Sequence, residues 1–326
     1  MEIYQEISLI TAILFVCELI YFRIADRFNI IDKPNQRSSH TAVTLRGGGI
    51  VFLMGAWLYS GIYGIGYPFF LTGVSLISLI SFADDIRPVS NKIRLVVHLV
   101  SMSLLLCQLG IVTTEFWWAI PIALFIAVGI INAYNFMDGI NGITGCYSLA
   151  VIIPLMYINH YVTPFVDQNL LWVALLSVLV FLFFNFRKRA KCFAGDVGAV
   201  GIAYIILFAI GSLIIETGRF EYILLLGVYG VDTALTIGHR IILKENLGEA
   251  HRKHAYQLMA NELKMDHRIV SSFYMLLQLI VSFGLILLPV NSWAYAIGIL
   301  LLLCLCYVAF KKKYYWMHEA YLQSNR

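Results

Sequence analysis

Long apolar stretches alternate with short polar ones along nearly the whole chain. About 20 apolar residues cross the roughly 30 Å hydrocarbon slab of a bilayer. By that measure the pattern predicts eleven spans, near residues 3–22, 48–66, 69–83, 93–111, 116–132, 143–160, 170–186, 197–215, 221–239, 269–288 and 292–310. The third is short and stops at two adjacent aspartates, Asp84 and Asp85. The expected fold class is an all-α polytopic membrane protein, a single domain over residues 1–326 with no internal repeat and polar loops at 23–47, 84–92, 132–142, 186–196 and 240–268. The first span reads as a retained helix, because Met1-Glu2 provides no basic start and no small-residue cleavage site follows.

Composition agrees: the 326 residues are 60% hydrophobic and 13% charged, with a mean hydropathy of +0.80, well outside the range of a soluble core of this size. The formal charge of +4 says less than its distribution. On an eleven-span count, 22 of the 23 lysines and arginines fall on one face and Arg219 alone on the other. Cytoplasmic loops hold the excess of both residues, so the N-terminus is expected outside and the C-terminus in the cytoplasm. A basic face attracts anionic lipid headgroups and anionic solutes. Nucleic-acid binding is excluded, since the basic residues are scattered over short loops. The six cysteines lie mostly inside spans without a CxxC pair and read as packing residues.

Carboxylates cost several kcal/mol in hydrocarbon, so a group of them at one membrane face implies a site. Asp84 and Asp85 repel each other unless a cation or a proton intervenes. Mg²⁺ binding or proton transfer would account for both; Arg87 and Lys92 are the salt-bridge partners nearest in sequence. Upstream, the run Asp32 to His40 leads through Arg46 into Gly47-Gly48-Gly49. Such a triplet lets backbone N–H groups approach a ligand, or lets a helix pack tightly.

A third cluster, Asn132 to Gly142, interrupts an apolar run without any basic residue. At helical pitch Asn135, Asp138 and Asn141 share one face, and Asp138 is expected to find a metal or a distant partner. The fourth joins Asn185 and four basic residues to Asp196, which could cap a helix or complete a metal site with Asp84, Asp85 and Asp138. In the fifth, Glu249 to Gln257, a helix would align His251 and His254 beside Arg252. Zinc would need a further thiolate or histidine, so donors to a diphosphate are the preferred reading. Asp232 stands inside the ninth span, a functional position or one paired with a neighbouring helix.

Taken together the clusters resemble a site for Mg²⁺ and phosphates at a lipid boundary, with one soluble and one lipidic substrate. The ordered motifs Arg37-Ser38-Ser39-His40, Arg46-Gly47-Gly48-Gly49, Asp84-Asp85, Asn135 to Gly142, Gly195-Asp196-Val197-Gly198 and His251 to Gln257 resemble those of the polyprenyl-phosphate N-acetylhexosamine-1-phosphate transferase family. The resemblance implies transfer of N-acetylhexosamine 1-phosphate from a UDP-sugar to undecaprenyl phosphate, with release of UMP. It implies Asp84 as the base or positioner for the lipid phosphate with Asp85 beside it, and Asp196 as the Mg²⁺ ligand, Mn²⁺ being a substitute. It further implies Asn135, Asp138 and Asn141 as the nucleotide and metal-proximal segment, Asn185 as a uridine contact, and His251, Arg252 and His254 as the diphosphate and sugar loop, with Arg46 also binding substrate.

Leu45 stands for a common proline, Ala194 for a methionine, and Asn141 for an aspartate found in some members. The His251-Arg252-Lys253-His254 form differs from the triple histidine of the muramoyl-pentapeptide transferases, so surface-polysaccharide initiation is preferred to that branch. The expected partners are a UDP-N-acetylhexosamine, undecaprenyl phosphate and membrane lipids in the bacterial inner membrane, with a homodimer left open. An ion-coupled transporter would carry its aspartates mid-span and show inverted repeats; here the clusters sit at span ends.

Overall fold

The computed structural model describes residues 3–34, 39, 42–113, 117–246, 248 and 251–324. Arg37, Ser38, His40, Glu249 and Ala250, all within motifs singled out above, lie outside the described residues.

The chain is an all-α polytopic membrane protein. Its helices are α1 (Ile3–Arg27), α2 (Ile50–Tyr63), α3 (Pro68–Ile86), α4 (Asn91–Gln108), α5 (Ile120–Met137), α6 (Ile143–Tyr161), α7 (Gln168–Asn185), α8 (Gly195–Thr217), α9 (Gly227–Ile242), the single turn α10 (Ala255–Gln257), α11 (His267–Leu287) and α12 (Ser292–Ser324). Leaving out α10, these follow the expected spans one for one. Among the described residues, nine helical segments are long and apolar enough to cross a membrane. Of the other two expected spans, Ile50–Tyr63 is a shorter apolar helix, and α4 opens on a polar turn with Asn91, Lys92 and Arg94.

Helix α8 is apolar around its whole circumference and is accordingly the buried centre, flanked by α2, α3, α5 and α6. Hydrocarbon provides no hydrophobic drive between helices, so small residues that let backbones approach do much of the packing. A Cβ on Gly49 would sit 2.2 Å from the Cα of Gly198, and one on Gly73 would sit 1.9 Å from the Tyr204 hydroxyl. The glycine triplet thus serves close packing: Gly48 and Gly49 donate their N–H groups to the carbonyls of Phe193 and Ala194, not to an open ligand position.

A two-residue hairpin, β1 (Ile31–Asp32) with β2 (Thr44–Leu45), pairs Ile31 with Leu45 and Asp32 with Thr44. Phe193 donates its N–H to the Leu45 carbonyl at 2.8 Å, which ties the hairpin to the start of α8 and brings Arg46 over it.

Candidate active site

Asp84 and Asp85 occupy the last turn of α3, inside the helix and not after it. On consecutive residues of a helix they diverge by about 100°, and each meets a different arginine. Asp84 accepts from Arg94 Nη1 at 2.6 Å and from the Val89 N–H at 2.7 Å. The Asp85 side chain, fully buried, meets Arg46 Nε at 2.6 Å. Its two oxygens also accept the N–H groups of Asp196 and Val197, each at 3.0 Å. Neither Arg87 nor Lys92 is the partner. Arg94 lies ten residues beyond Asp84; the capped turn at Ser90 that starts α4 is what folds it back over Asp84.

Asp196 is therefore not the cap of its helix, because Asp85 closes that end from α3. The Asp196 carboxylate lies between the two arginines, 3.3 Å from Arg46 Nη2 and 3.1 Å from Arg94 Nη2. Three carboxylates and two guanidinium groups form one continuous cluster, a network in which each charge has a partner.

The predicted helical face of Asn135, Asp138 and Asn141 does not form. Helix α5 stops at Met137, and Gly142 takes a left-handed φ of +87°, a conformation glycine adopts without strain. Asp138 accepts from the Thr144 hydroxyl at 2.6 Å, a partner six residues away in the next helix. Burial pushes the Asp138 carboxyl up to about 7, against the pull of that hydrogen bond. Asn141 turns its amide to the Arg187 carbonyl at 2.9 Å. Asn185 is engaged at both ends, accepting from Gly142 N–H at 2.6 Å and donating to the Cys192 carbonyl at 2.8 Å. These two asparagines set the shape of the wall.

The histidine loop is not helical over 251–253; His254 is the N-cap of α10. The rings of His251 and His254 still lie 5.1 Å apart between centroids. Burial, then the neighbouring charges of His254, Arg240 and Lys253, lowers His251 to about 3, so it is neutral at physiological pH. Arg252 turns away, pairing with Glu262 at 3.3 Å and lying 4.4 Å over the Tyr321 ring.

Two chambers adjoin at this end of the bundle. One, of about 390 Å³, is mostly polar and takes in Arg46, Asn135, Asp138, Asn141, Asn185 and Asp196. The other, of about 570 Å³, has Arg94, Asn135, Asp196, His251 and His254 on its polar side and Leu95, Val128 and Phe136 on its apolar side. Asn135 and Asp196 belong to both. The arrangement suits a polyanion threaded past the shared wall, with an apolar chain leaving on the α4–α5 side.

Residues 67–215 match the family described as glycosyl transferase family 4. The chain is similar to a probable undecaprenyl-phosphate N-acetylglucosaminyl 1-phosphate transferase of Bacillus subtilis (strain 168), at 28% identity over 81% of this chain and 78% of the relative. It is also similar to the undecaprenyl-phosphate alpha-N-acetylglucosaminyl 1-phosphate transferase of Escherichia coli (strain K12), at 26% identity over 62% of this chain and 60% of the relative. A phospho-N-acetylmuramoyl-pentapeptide-transferase of Thermotoga maritima matches at 27% over 58% of this chain and 66% of the relative. The match thus spans less than two thirds of the Escherichia and Thermotoga relatives.

Proposed function

We propose, from the premise that this chain belongs to glycosyl transferase family 4, that it transfers N-acetylhexosamine 1-phosphate from a UDP-sugar to undecaprenyl phosphate and releases UMP. The observation that carries this reading is the wall shared by the two chambers, where Asn135 and Asp196 stand between a polar space and one with an apolar side. We place the nucleotide in the polar chamber, the lipid phosphate in the other, and the diphosphate across their junction. The reading sets this end of the bundle on the cytoplasmic face of a bacterial inner membrane, in accord with its lysines and arginines.

An oxygen of the lipid phosphate attacks the β-phosphorus, the bond to the bridging oxygen breaks, and UMP leaves with that oxygen. Asp84, held by Arg94 and the Val89 N–H, positions the lipid phosphate and takes its proton where one is present. Both Asp84 oxygens are engaged, which supports direct attack over a phospho-aspartate. Arg46 and Arg94 face the developing charge, and His251 and His254 flank the diphosphate; alignment and charge compensation are what phosphoryl transfer needs. Asp85 acts through the backbone it holds.

Mg²⁺, with Mn²⁺ as substitute, is part of this reading. Asp196, with Asp84 drawn beside it by the shared Arg94, offers hard oxygens of the kind Mg²⁺ takes, typically one or two carboxylates completed by phosphate oxygens. Among the described residues no group of three or more His, Cys, Asp or Glu is arranged to hold a metal. When bound it would neutralise charge on the phosphate oxygens.

The branch we favour initiates O-antigen, capsule or a related surface polysaccharide, because the loop carries His251-Arg252-Lys253-His254. Purified protein with undecaprenyl phosphate and Mg²⁺ should release UMP from at least one of a panel of UDP-N-acetylhexosamines, including 6-deoxy forms. Chelation with EDTA should stop release and added Mg²⁺ restore it. Silence across the whole panel would sink the transferase reading.

A further inference from the structure

Asp232 lies on α9, within a candidate membrane span, and is 3% exposed. Four polar groups converge on it. Its Oδ1 accepts from Ala255 N–H at 3.0 Å and Thr236 Oγ1 at 3.2 Å and faces His254 Nδ1 at 3.2 Å. Its Oδ2 accepts the Tyr274 hydroxyl at 2.7 Å. An ionised carboxylate is acceptor-only with about four lone-pair sites, whereas a protonated one must itself donate. This environment is built for the anion.

His254 is 1% exposed. With Asp232 against Nδ1, its other ring nitrogen, Nε2, is buried without a hydrogen-bond partner among the described residues, and the ring lines the larger chamber together with His251 and Asp196. A carboxylate on one ring nitrogen fixes which nitrogen holds the proton and which faces the ligand. With a phosphate oxygen at Nε2, the imidazolium would lie between two anions.

We infer that Asp232 is a positioning residue: it holds His254 with Nδ1 protonated, so that Nε2–H donates to a diphosphate oxygen of the nucleotide sugar. The inference rests on the transferase reading for the identity of that ligand. Tyr274 and Thr236 keep the carboxylate in place, and the pair is carried on α9 and α11, away from the loops that form the rest of the site.

The test uses the full-length protein with ¹⁵N-labelled histidine, the His254 signals being identified by their loss in His254→Gln. With UDP as the probe, the Nε2 resonance of the wild type should move to the protonated position while Nδ1 stays protonated. Asp232→Asn should abolish that response and lower kcat by about 10- to 100-fold, the range found when the carboxylate behind a metal-bound histidine is lost, with KM for the lipid phosphate within twofold. Tyr274→Phe, which keeps the carboxylate, should lose several-fold in kcat and carries the comparison should Asp232→Asn fail to fold. An Nε2 signal indifferent to UDP, or variants with wild-type kcat, would overturn the inference. If the wild type releases no UMP, the transferase reading fails separately, and the response to UDP still decides the role of Asp232.

Discussion

Asp85 holds the backbone of Asp196: one carboxylate oxygen accepts the Asp196 N–H at 3.0 Å and the other that of Val197. The first turn of the central helix is thus fixed from α3, and a Cβ on Gly195 would come within 2.5 Å of the same carboxylate.

The two adjacent aspartates should therefore fail differently. Asp84→Asn is expected to abolish UMP release with a melting temperature near that of the wild type. Asp85→Ala removes the acceptor of the Asp196 and Val197 N–H groups and one of the two carboxylates paired with Arg46, which keeps Asp196; a buried donor left unsatisfied costs about 1–3 kcal/mol, so both activity and melting temperature should fall. Thermal melting in detergent beside the UMP assay checks this, and equal melting for the two variants would refute the division of roles.

Asp138 gives a pH dependence with a definite sign. Its carboxyl is raised to about 7 by burial, above the ordinary value of about 3.9. The folded state therefore favours the neutral form, and the stability this confers is complete below the unfolded value and lost as pH rises through 7. Asp138→Asn, which can still accept from Thr144, stays neutral at every pH. Its melting temperature relative to the wild type should rise between pH 5 and pH 8; a constant difference would rule the shift out.

The contact between α2 and α8 admits no side chain. Gly49→Ala places a methyl 2.2 Å from Gly198, and overpacking of this kind costs typically about 1–3 kcal/mol or more. Gly129→Ala, whose added Cβ meets no other atom of the described residues within 4 Å, should be tolerated without loss. Yield and melting of the two purified variants provide the comparison.

Hydropathy alone made the helical order legible, because each span must satisfy its own backbone in lipid. The aspartates were legible as well, since charge at a span end is conspicuous. Their partners were not: Arg46 and Arg94 reach Asp196 across 150 and 102 residues, and sequence proximity pointed to Arg87. Helical extrapolation also misled where α5 stops at Met137 and a turn through Gly142 leads into α6. It put Asn141 on a shared face with Asp138, whereas the turn at Gly142 sends its amide to Arg187. Asp232 could be marked as unusual, but only the folded chain joins it to His254 on the histidine loop.

The wall of Asn135 and Asp196 common to both chambers has a pharmacological corollary. A fragment seated in either chamber touches the same two side chains, so two such fragments need only a short tether to occupy both. A tether that matches the span turns the second binding event intramolecular, and avidity can then exceed either separate affinity by about 10²–10⁴. Bisubstrate compounds bridging at Asp196 are the inhibitors to which this geometry is most open.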